Sequence, residues 1–251
     1  MIIDTHMHIY DDRYKDNLDE IIKKSIDMGV GKMIVSAINY ETSLKAIEIA
    51  NTYPEVYASI GVYPEEVKKD NGDYSWIKEL VKNNKKIVAI GEIGLDYYWD
   101  DSYKELQKEA FIKQIEIANE LNLPVIVHSR NAIQDTYDIL KAYRTRGTIH
   151  CFGGSLEMAK EFVKLGYFIG VGGVVTFKNA KEIKRVVKEI DINYIVTETD
   201  SPYLTPHPFR GETNIPGYTK YVLEEISSIR EMDNKEVENI LESNARRLFN
   251  F

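Results

Sequence analysis

Histidine and carboxylate side chains that could bind a metal ion recur along this 251-residue chain, and the first two stand close together. His6 and His8 are two residues apart. On a β-strand this spacing puts both imidazoles on one face, roughly 6.6 Å apart along the chain, so both could bind one cation. Asp4 lies on the same face and either orients an imidazole or binds the backbone. A lone His-x-His pair is weak evidence, because two polar residues that end a strand have the same spacing.

Two carboxylates also follow apolar segments. Glu92 comes directly after Ile87–Gly91 and stands between glycines, where a solvated surface charge is not expected. It is either a salt-bridged acid of the core or a carboxylate whose two oxygens bridge two cations. Asp200 ends another such segment, and strand alternation places Glu198 on the same face as a support for the ligands.

The remaining candidates are two histidines, each at the end of an apolar segment. His128 ends Val125–His128 and His150 ends Thr148–His150, and either one alone is more often structural than a ligand. Nitrogen and carboxylate ligands favour Zn, Mn, Fe, Ni or Co, and the chain has no cluster of thiolates. The single cysteine, Cys151, is predicted to point away from the His150 side as a buried apolar residue.

The elements that must position these side chains alternate regularly. Short segments rich in Ile and Val predict eight β-strands, each followed by a segment of helical periodicity. The strands are predicted at Ile2–Asp4, Lys32–Ser36, Val56–Gly61, Ile87–Gly91, Val125–His128, Thr148–His150, Tyr167–Val171 and Tyr194–Glu198. The helices are predicted at Leu18–Met28, Glu41–Asn51, Tyr74–Lys82, Ser102–Leu121, Ala132–Tyr143, Leu156–Leu165, Ala180–Glu189, Thr219–Arg230 and Asn234–Leu248.

This alternation predicts parallel βαβ units in the α/β class. At this length it favours one domain over residues 1–251, a TIM (β/α)8 barrel, and a doubly wound sheet is the alternative. In a barrel the carboxyl ends of the strands meet at one face, so the six candidate ligands would converge there. Six candidate ligands at strand ends are together stronger evidence for a metal site than any one of them alone.

Composition and charge narrow the class of protein. Hydrophobic residues make up 43% of the chain, which excludes disorder, and the lone cysteine fits a reducing cytoplasm. The amino terminus lacks the pattern of a signal peptide, and no apolar run approaches the roughly 18 residues of a membrane span. The formal net charge of -8 disfavours a broad electrostatic surface for nucleic acid and leaves only a local basic groove.

Five motifs, in order along the chain, carry a resemblance to a known family. They are Asp4-Thr5-His6-Met7-His8, Gly91-Glu92-Ile93-Gly94-Leu95-Asp96, Val127-His128-Ser129-Arg130, His150-Cys151-Phe152 and Glu198-Thr199-Asp200-Ser201-Pro202-Tyr203-Leu204. With the carboxyl-terminal Asn244–Phe249 they span the chain, and together they resemble the TatD family of metal-dependent hydrolases and deoxyribonucleases.

The resemblance implies a TIM barrel that holds two divalent cations, which could be Zn, Mn, Mg, Ni or Co. By motif, the first cation would be held by His6, His8, Glu92 and Asp200. The second would be held by Glu92, His128 and His150, with Glu92 as the bridge. The implied reaction is hydrolysis of phosphodiester bonds of DNA by metal-activated water, exonucleolytic on single-stranded ends. Asp200 and Glu92 would be the catalytic carboxylates, and Asp200 would accept or steer the water proton.

Three further residues are predicted to bind substrate. Arg130 and Arg210 could each contact phosphate through a guanidinium fork, or form an ion pair with a neighbouring acid. Tyr203 lies in a loop where an aromatic ring could stack on a base or simply pack. The same choice applies to Tyr97, Tyr98, Trp99 and Phe209. We therefore expect nucleic acid, DNA rather than RNA, bound locally by a monomer without a membrane partner.

The sequence departs from the family pattern at two places. Many relatives have histidine where this chain has Tyr63, a position expected to contact substrate or solvent. Relatives often carry two more bases where this chain has Glu212 and Thr213, which predicts a weaker phosphate-binding rim. Two alternatives stay open: a two-metal hydrolase of another bond, such as a carboxyl ester, an aminoacyl-tRNA ester or an amide, and a non-catalytic metal-binding protein.

Overall fold

The barrel predicted from the sequence is present in the computed structural model, which describes residues 1–251. Eight parallel strands follow one another around one sheet in chain order. They are β1 (Ile2–Met7), β2 (Val30–Ser36), β3 (Val56–Ile60), β4 (Ile87–Asp96), β5 (Val125–Arg130), β6 (Gly147–Ile149), β7 (Phe168–Val171) and β8 (Ile195–Thr197). Because every strand pairs with the next one along the chain, the doubly wound alternative, in which the strand order reverses, is wrong.

The sheet closes between β1 and β8. Met7 pairs with Ser201 in a parallel bridge. The backbone N–H of Asp200 donates to the carbonyl oxygen of His6 at 2.9 Å. Closure therefore places the histidines of the first strand directly beside the segment that follows the last one.

Nine helices surround the strands and pack against them. They are α1 (Leu18–Asp27), α2 (Tyr40–Thr52), α3 (Ser75–Asn83), α4 (Lys104–Glu120), α5 (Ile133–Tyr143), α6 (Leu156–Lys164), α7 (Lys181–Glu189), α8 (Thr219–Arg230) and α9 (Asn234–Phe249). Their apolar faces and the strands form a core cluster of 55 buried residues. None of these helices has both the length and the apolar character that crossing a membrane requires.

The last helix closes one end of the barrel. Leu248 and Phe249 of α9 pack with Ile3, Val88 and Phe168, which come from three different strands, in a second cluster of 10 buried residues. These strand residues lie near the amino ends of their strands, so α9 covers that end. The opposite end, where the strands finish, is the one left open for a site.

Strand β4 differs most from its predicted extent. It runs to Asp96 instead of ending at Gly91, so Glu92 lies inside a strand and not after one. The pairing of β4 with β5 shifts register between Ile90 and Ile93. A register shift, as at a β-bulge, re-aims the side chains beside it, and Glu92 is one of them.

Gly94 allows β4 to approach β5 closely just after this bulge. Its φ is +141°, and a Cβ atom at this position would lie 2.0 Å from the carbonyl oxygen of His128. Only glycine fits such a contact. The second glycine of the motif around Glu92 therefore holds the strand of Glu92 against the strand of His128.

Candidate metal centre

Glu92 is the centre of a cluster of ligand side chains at the open end of the barrel. Its side chain is buried, and its two carboxylate oxygens face two different pairs of histidines. Oε2 is 3.4 Å from Nε2 of His6 and 3.5 Å from Nε2 of His8. Oε1 is 3.1 Å from both Nδ1 of His128 and Nε2 of His150. A carboxylate that bridges two cations requires this division of its oxygens.

The first group of ligand atoms has the spacing expected around one cation. Nε2 of His6 and Nε2 of His8 are 3.1 Å apart. Oδ1 of Asp200 is 3.5 Å from the first of these nitrogens and 3.4 Å from the second. Zinc bonds of about 2.0–2.1 Å at tetrahedral angles would separate their ligand atoms by roughly 3.3–3.4 Å. The spacings within His6, His8 and Glu92, and of Asp200 from both histidines, therefore suit ligands of a divalent cation.

The second group offers three protein ligands. Glu92, His128 and His150 present ligand atoms that all lie within 4.8 Å of one another. Three protein ligands leave coordination positions open, which is typical of catalytic metal sites and not of structural ones. The rings of His6 and His150 stack between the two groups, with centroids 3.8 Å apart. The six side chains predicted to bind metal are thus all brought together, and the donor set fits divalent metals that accept nitrogen and oxygen.

Ser36, at the end of β2, fixes the orientation of both histidines of β1. Its carbonyl oxygen accepts a hydrogen bond at 2.8 Å from Nδ1 of His8, so in the neutral imidazole Nε2 is the nitrogen left for a cation. Its hydroxyl oxygen is 3.0 Å from Nδ1 of His6, where it can accept in the same way. Ser36 has only a weak signal in the sequence, a serine that ends an apolar strand, and was not predicted.

His128 is held on its outer side by Asp96 and Tyr63. Nε2 of His128 is 2.9 Å from Oδ2 of Asp96 and 3.1 Å from the Tyr63 hydroxyl. The Tyr63 hydroxyl donates to the same carboxylate at 3.1 Å. An acceptor on the outer nitrogen of a ligand histidine leaves the inner nitrogen free for metal. The Tyr63 hydroxyl therefore supports a ligand histidine from within the protein.

We expect Asp96→Asn to weaken metal binding at the second group by about 10–100-fold, the usual cost of losing such a partner. Tyr63→Phe keeps the carboxylate on His128 and should have a smaller effect. Competition with a chelator of known affinity measures both dissociation constants. Wild-type affinity in Asp96→Asn would show that this carboxylate does not orient His128.

Two buried acids next to the ligands have different tasks. Asp4 accepts from the backbone N–H of His6 at 3.2 Å and from the N–H and hydroxyl of Thr199 at 3.0 Å and 2.6 Å. Asp4 therefore binds the backbone and does not orient an imidazole. Oε1 of Glu198 lies 3.4 Å from Nδ1 of His150, a charge contact that lacks hydrogen-bond geometry. This contact agrees with the predicted support of the ligands by Glu198.

Three of the ligand histidines bind a proton more tightly than free histidine when no cation is present. At His150 burial opposes the positive charge, but the nearby Glu92 and Glu198 outweigh burial and raise the pKa well above its ordinary value. The pKa values of His8 and His128 are raised as well, in each case by facing carboxylates against the effect of burial. A cation must displace these protons before it can bind.

We expect metal affinity to fall as the pH is lowered, beginning above the ordinary histidine pKa of about 6.5. A raised pKa keeps each imidazole protonated to a higher pH. Below the raised pKa, the dissociation constant of the metal rises about tenfold per pH unit for each proton that the metal displaces. Above the raised pKa, metal affinity no longer depends on pH. Calorimetry of Mn²⁺ or Zn²⁺ binding in buffers of different ionisation enthalpy measures both the affinity and the protons released. A metal affinity that stays constant as the pH is lowered through the raised histidine pKa values would contradict the prediction.

A cavity of about 640 Å³ opens beside the ligands. The ligand side chains in its wall are His128, His150 and Asp200. Arg130 and Tyr203, two of the predicted substrate-binding residues, line it as well. Cys151 is half-buried and belongs to the same wall, so the prediction of a buried residue at this position is wrong. The φ of Cys151 is +44°, which interrupts the strand alternation on which that prediction depended.

The two predicted phosphate-binding arginines have different surroundings. Arg130 ends β5 at the rim of the cavity, with its guanidinium carbon 3.7 Å from the centroid of the Tyr98 ring. Arg210 lies over the ring of Phe177 at 4.0 Å and is not part of the cavity wall. The structure therefore brings Arg130 and Tyr203 to the ligands and leaves Arg210 further out in the last loop.

A parallel eight-stranded barrel with histidine and carboxylate ligands at the open end of its strands defines a metal-dependent hydrolase. The family described as TatD related DNase matches residues 3–250 of the chain. The protein belongs to the TatD family.

Similar proteins agree with this assignment over their whole length. The chain is 45% identical over 253 residues to the uncharacterized metal-dependent hydrolase YabD of Bacillus subtilis (strain 168), covering 99% of each protein. It is 37% identical over 248 residues to the uncharacterized metal-dependent hydrolase MJ1582 of Methanocaldococcus jannaschii, covering 98% of this chain and 96% of that one. The crystal structure of YjjV, a TatD homologue from Escherichia coli K12, matches with a TM-score of 0.94 at 33% identity, covering 100% of this chain and 98% of that one.

Proposed function

We propose that the protein is a phosphodiesterase that hydrolyses DNA from single-stranded ends with two divalent cations. The observation that carries the proposal is the division of the Glu92 oxygens between two pairs of histidines. Two cations about 3.5–4 Å apart that share a ligand are the arrangement that many phosphoryl-transfer enzymes use. Bound there, the cations would lower the pKa of water and offset charge on the phosphoryl oxygens. The description of the matching family supports DNA as the substrate.

The residues of the chain would supply the proton transfer and the positioning. Burial opposes ionisation of Asp200, but the histidines around it hold the pKa of this carboxyl below its ordinary value. Asp200 is thus ionised at neutral pH and lines the cavity, where it can accept or steer the proton of the attacking water. The guanidinium of Arg130, exposed at the rim, can donate to a phosphate oxygen.

A second candidate activity is hydrolysis of a carboxyl ester, an aminoacyl-tRNA ester or an amide at the same centre. Phe152, Val174 and Ile183 form an apolar part of the cavity wall that suits an acyl group. The barrel alone does not fix the reaction. A purely metal-storing role is disfavoured, because a three-ligand group leaves open positions that structural sites lack.

A substrate panel separates these activities. Protein loaded separately with Zn, Mn, Mg, Ni or Co is offered labelled single-stranded and duplex oligonucleotides, a small phosphodiester and carboxyl esters. We expect turnover of the phosphodiesters, with the single-stranded oligonucleotide preferred. Turnover of the carboxyl esters alone would favour the second candidate, and a metal-loaded protein without any turnover would contradict both the phosphodiesterase and the carboxyl-esterase activity.

Binding of single-stranded DNA is expected to depend only weakly on salt. A net charge of -8 provides no basic track, so few phosphates can be neutralised beyond those near Arg130. Each neutralised phosphate of a single strand contributes about −0.7 to the slope of log K against log salt concentration. We therefore expect a slope of about −2, measured by fluorescence anisotropy at several salt concentrations. A slope near −6 would reveal a basic surface that the proposal does not include.

A further inference from the structure

The exposed aromatic side chains of this protein are concentrated at the open end of the barrel. They are Tyr40, Tyr98, Trp99 and Tyr203. Each follows the carboxyl end of a strand: Tyr40 follows β2, Tyr98 and Trp99 follow β4, and Tyr203 follows β8. Trp99 is the most exposed, at 64%. Large apolar rings in water at one end of an otherwise acidic protein indicate a surface that binds something.

An arginine guanidinium lies over the rings at two of these places. The guanidinium carbon of Arg130 is 3.7 Å from the centroid of Tyr98 and 5.3 Å from that of Trp99. The guanidinium carbon of Arg13 is 4.6 Å from the centroid of the Tyr203 ring. Asp11 holds the Arg13 guanidinium through hydrogen bonds of 2.7 Å and 2.9 Å, which fixes it beside the ring.

These two groups lie on opposite sides of the metal ligands. Tyr98, Trp99 and Arg130 belong to the β4–β5 side of the barrel, and Tyr203 and Arg13 to the β8–β1 side. In a closed ring of eight strands these two sides face each other across the mouth. Arg130 and Tyr203 both line the cavity between them.

We propose that the two aromatic–arginine groups are nucleotide subsites, one for each side of the bond that is cut. This inference rests on the phosphodiesterase activity proposed above and adds how the strand is bound. A nucleotide offers a flat base that stacks on an aromatic ring and a phosphate that accepts from a guanidinium, and each group supplies both partners. A single strand of DNA therefore crosses the mouth of the barrel with one base on Trp99 and Tyr98 and the next on Tyr203.

The single strand is favoured over the duplex by the same geometry. Base–aromatic stacking needs an unpaired base with a free face, which the interior of a duplex does not provide. The two subsites supply only a few cationic groups, in keeping with an acidic protein that has no long basic track. Affinity would come from two stacked bases and not from many phosphates.

The chain contains a matched control for these rings. Tyr40 is 50% exposed at the same end of the barrel, and its ring makes an edge contact with Trp76 at 5.2 Å. It is not among the rings that lie beneath a cation. Tyr40→Ala therefore removes an exposed aromatic ring from this face without touching either proposed subsite.

The kinetic test compares Trp99→Ala, Tyr203→Ala and Tyr40→Ala on a single-stranded trinucleotide and on a small phosphodiester without bases. We expect Trp99→Ala and Tyr203→Ala to lower kcat/KM for the trinucleotide by about 5- to 100-fold, the range for one lost base stack. Each of these variants should lower kcat/KM for the trinucleotide several-fold more than for the small phosphodiester, and Tyr40→Ala should change neither substrate. Equal losses on both substrates, or losses no larger than in Tyr40→Ala, would overturn the inference.

Abasic substrates identify which base meets which ring. Removing the base on one side of the cut should abolish the effect of Trp99→Ala, and removing the base on the other side should abolish the effect of Tyr203→Ala. If each variant still lowers kcat/KM for both abasic substrates by the same factor, the rings act on protein structure and the inference fails.

A binding measurement keeps the test independent of turnover. In a Trp76→Phe background Trp99 is the sole tryptophan, because the chain has two. A phosphorothioate trinucleotide added to the metal-loaded protein should quench its fluorescence, and an abasic analogue should not. Absence of quenching overturns the inference. Turnover of the small phosphodiester in the same protein would then show that the proposed phosphodiesterase activity itself still holds.

Discussion

Glu92→Gln is expected to weaken the binding of both cations, and not of one alone. Oε2 of Glu92 faces His6 and His8, whereas Oε1 faces His128 and His150. An amide keeps one oxygen but replaces the other with an NH₂ group that cannot bind a cation. It also removes the negative charge that the two cations would share. We expect each affinity to fall by more than the 10–100-fold that losing a supporting partner of a ligand costs.

Elemental analysis and thermal unfolding together measure this effect. Metal at about 100 times its dissociation constant adds about 2.7 kcal/mol to the free energy of unfolding, so added metal should raise the Tm of the wild type. The Tm of Glu92→Gln should respond little. Glu66→Gln is the matched control, because Glu66 is a half-buried glutamate in the loop after β3 whose carboxylate accepts from Asn39 and Lys69 and contacts none of the ligand histidines. Two metals per chain in Glu92→Gln would remove Glu92 from the bridging position.

The barrel and its ligands could be predicted from the sequence because both depend on patterns among residues that are close together along the chain. Apolar runs that alternate with helical periodicity define the eight strands, and every ligand except Glu92 stands at or near the end of one of them. His6, His8, His128 and His150 could be placed from strand ends alone. Their convergence then follows from barrel closure, which is a property of the whole fold.

The supporting residues could not be predicted because their partners are distant in sequence. Ser36 meets the histidines of β1 across a separation of about 30 residues, and Tyr63 meets His128 across 65. Neither residue type marks a metal site by itself. Such contacts depend on the register between neighbouring strands, which the chain does not display locally.

Local backbone irregularities explain the remaining differences. The register of β4 against β5 shifts beside Glu92, and Cys151 has a left-handed φ just after β6. Both features break the strict alternation on which predictions of side-chain direction rest. They occur beside ligands, where the backbone conformation serves the site more than the regular strand.

Asp200→Asn is expected to remove most of the turnover while substrate still binds. Asp200 lines the cavity, and its Oδ1 lies 3.5 Å from Nε2 of His6 and 3.4 Å from Nε2 of His8. An amide can still offer one oxygen to a metal, but it neither carries charge nor accepts the water proton. Loss of a general base costs about 10²–10⁴-fold in rate. We expect kcat to fall by this factor with KM little changed, as for an interaction made mainly in the transition state.

Asparagine is the right replacement because the backbone at this position is unusual. The φ of Asp200 is +57°, in the left-handed region that Asp and Asn tolerate better than other residues with a side chain. Asp200→Ala would disturb the backbone as well as the carboxylate, so its loss of activity would have two causes. The metal content of Asp200→Asn must be measured with its rate, because loss of the first cation would lower kcat for a different reason. A fully metallated Asp200→Asn protein with near wild-type kcat would show that the water loses its proton without this carboxylate.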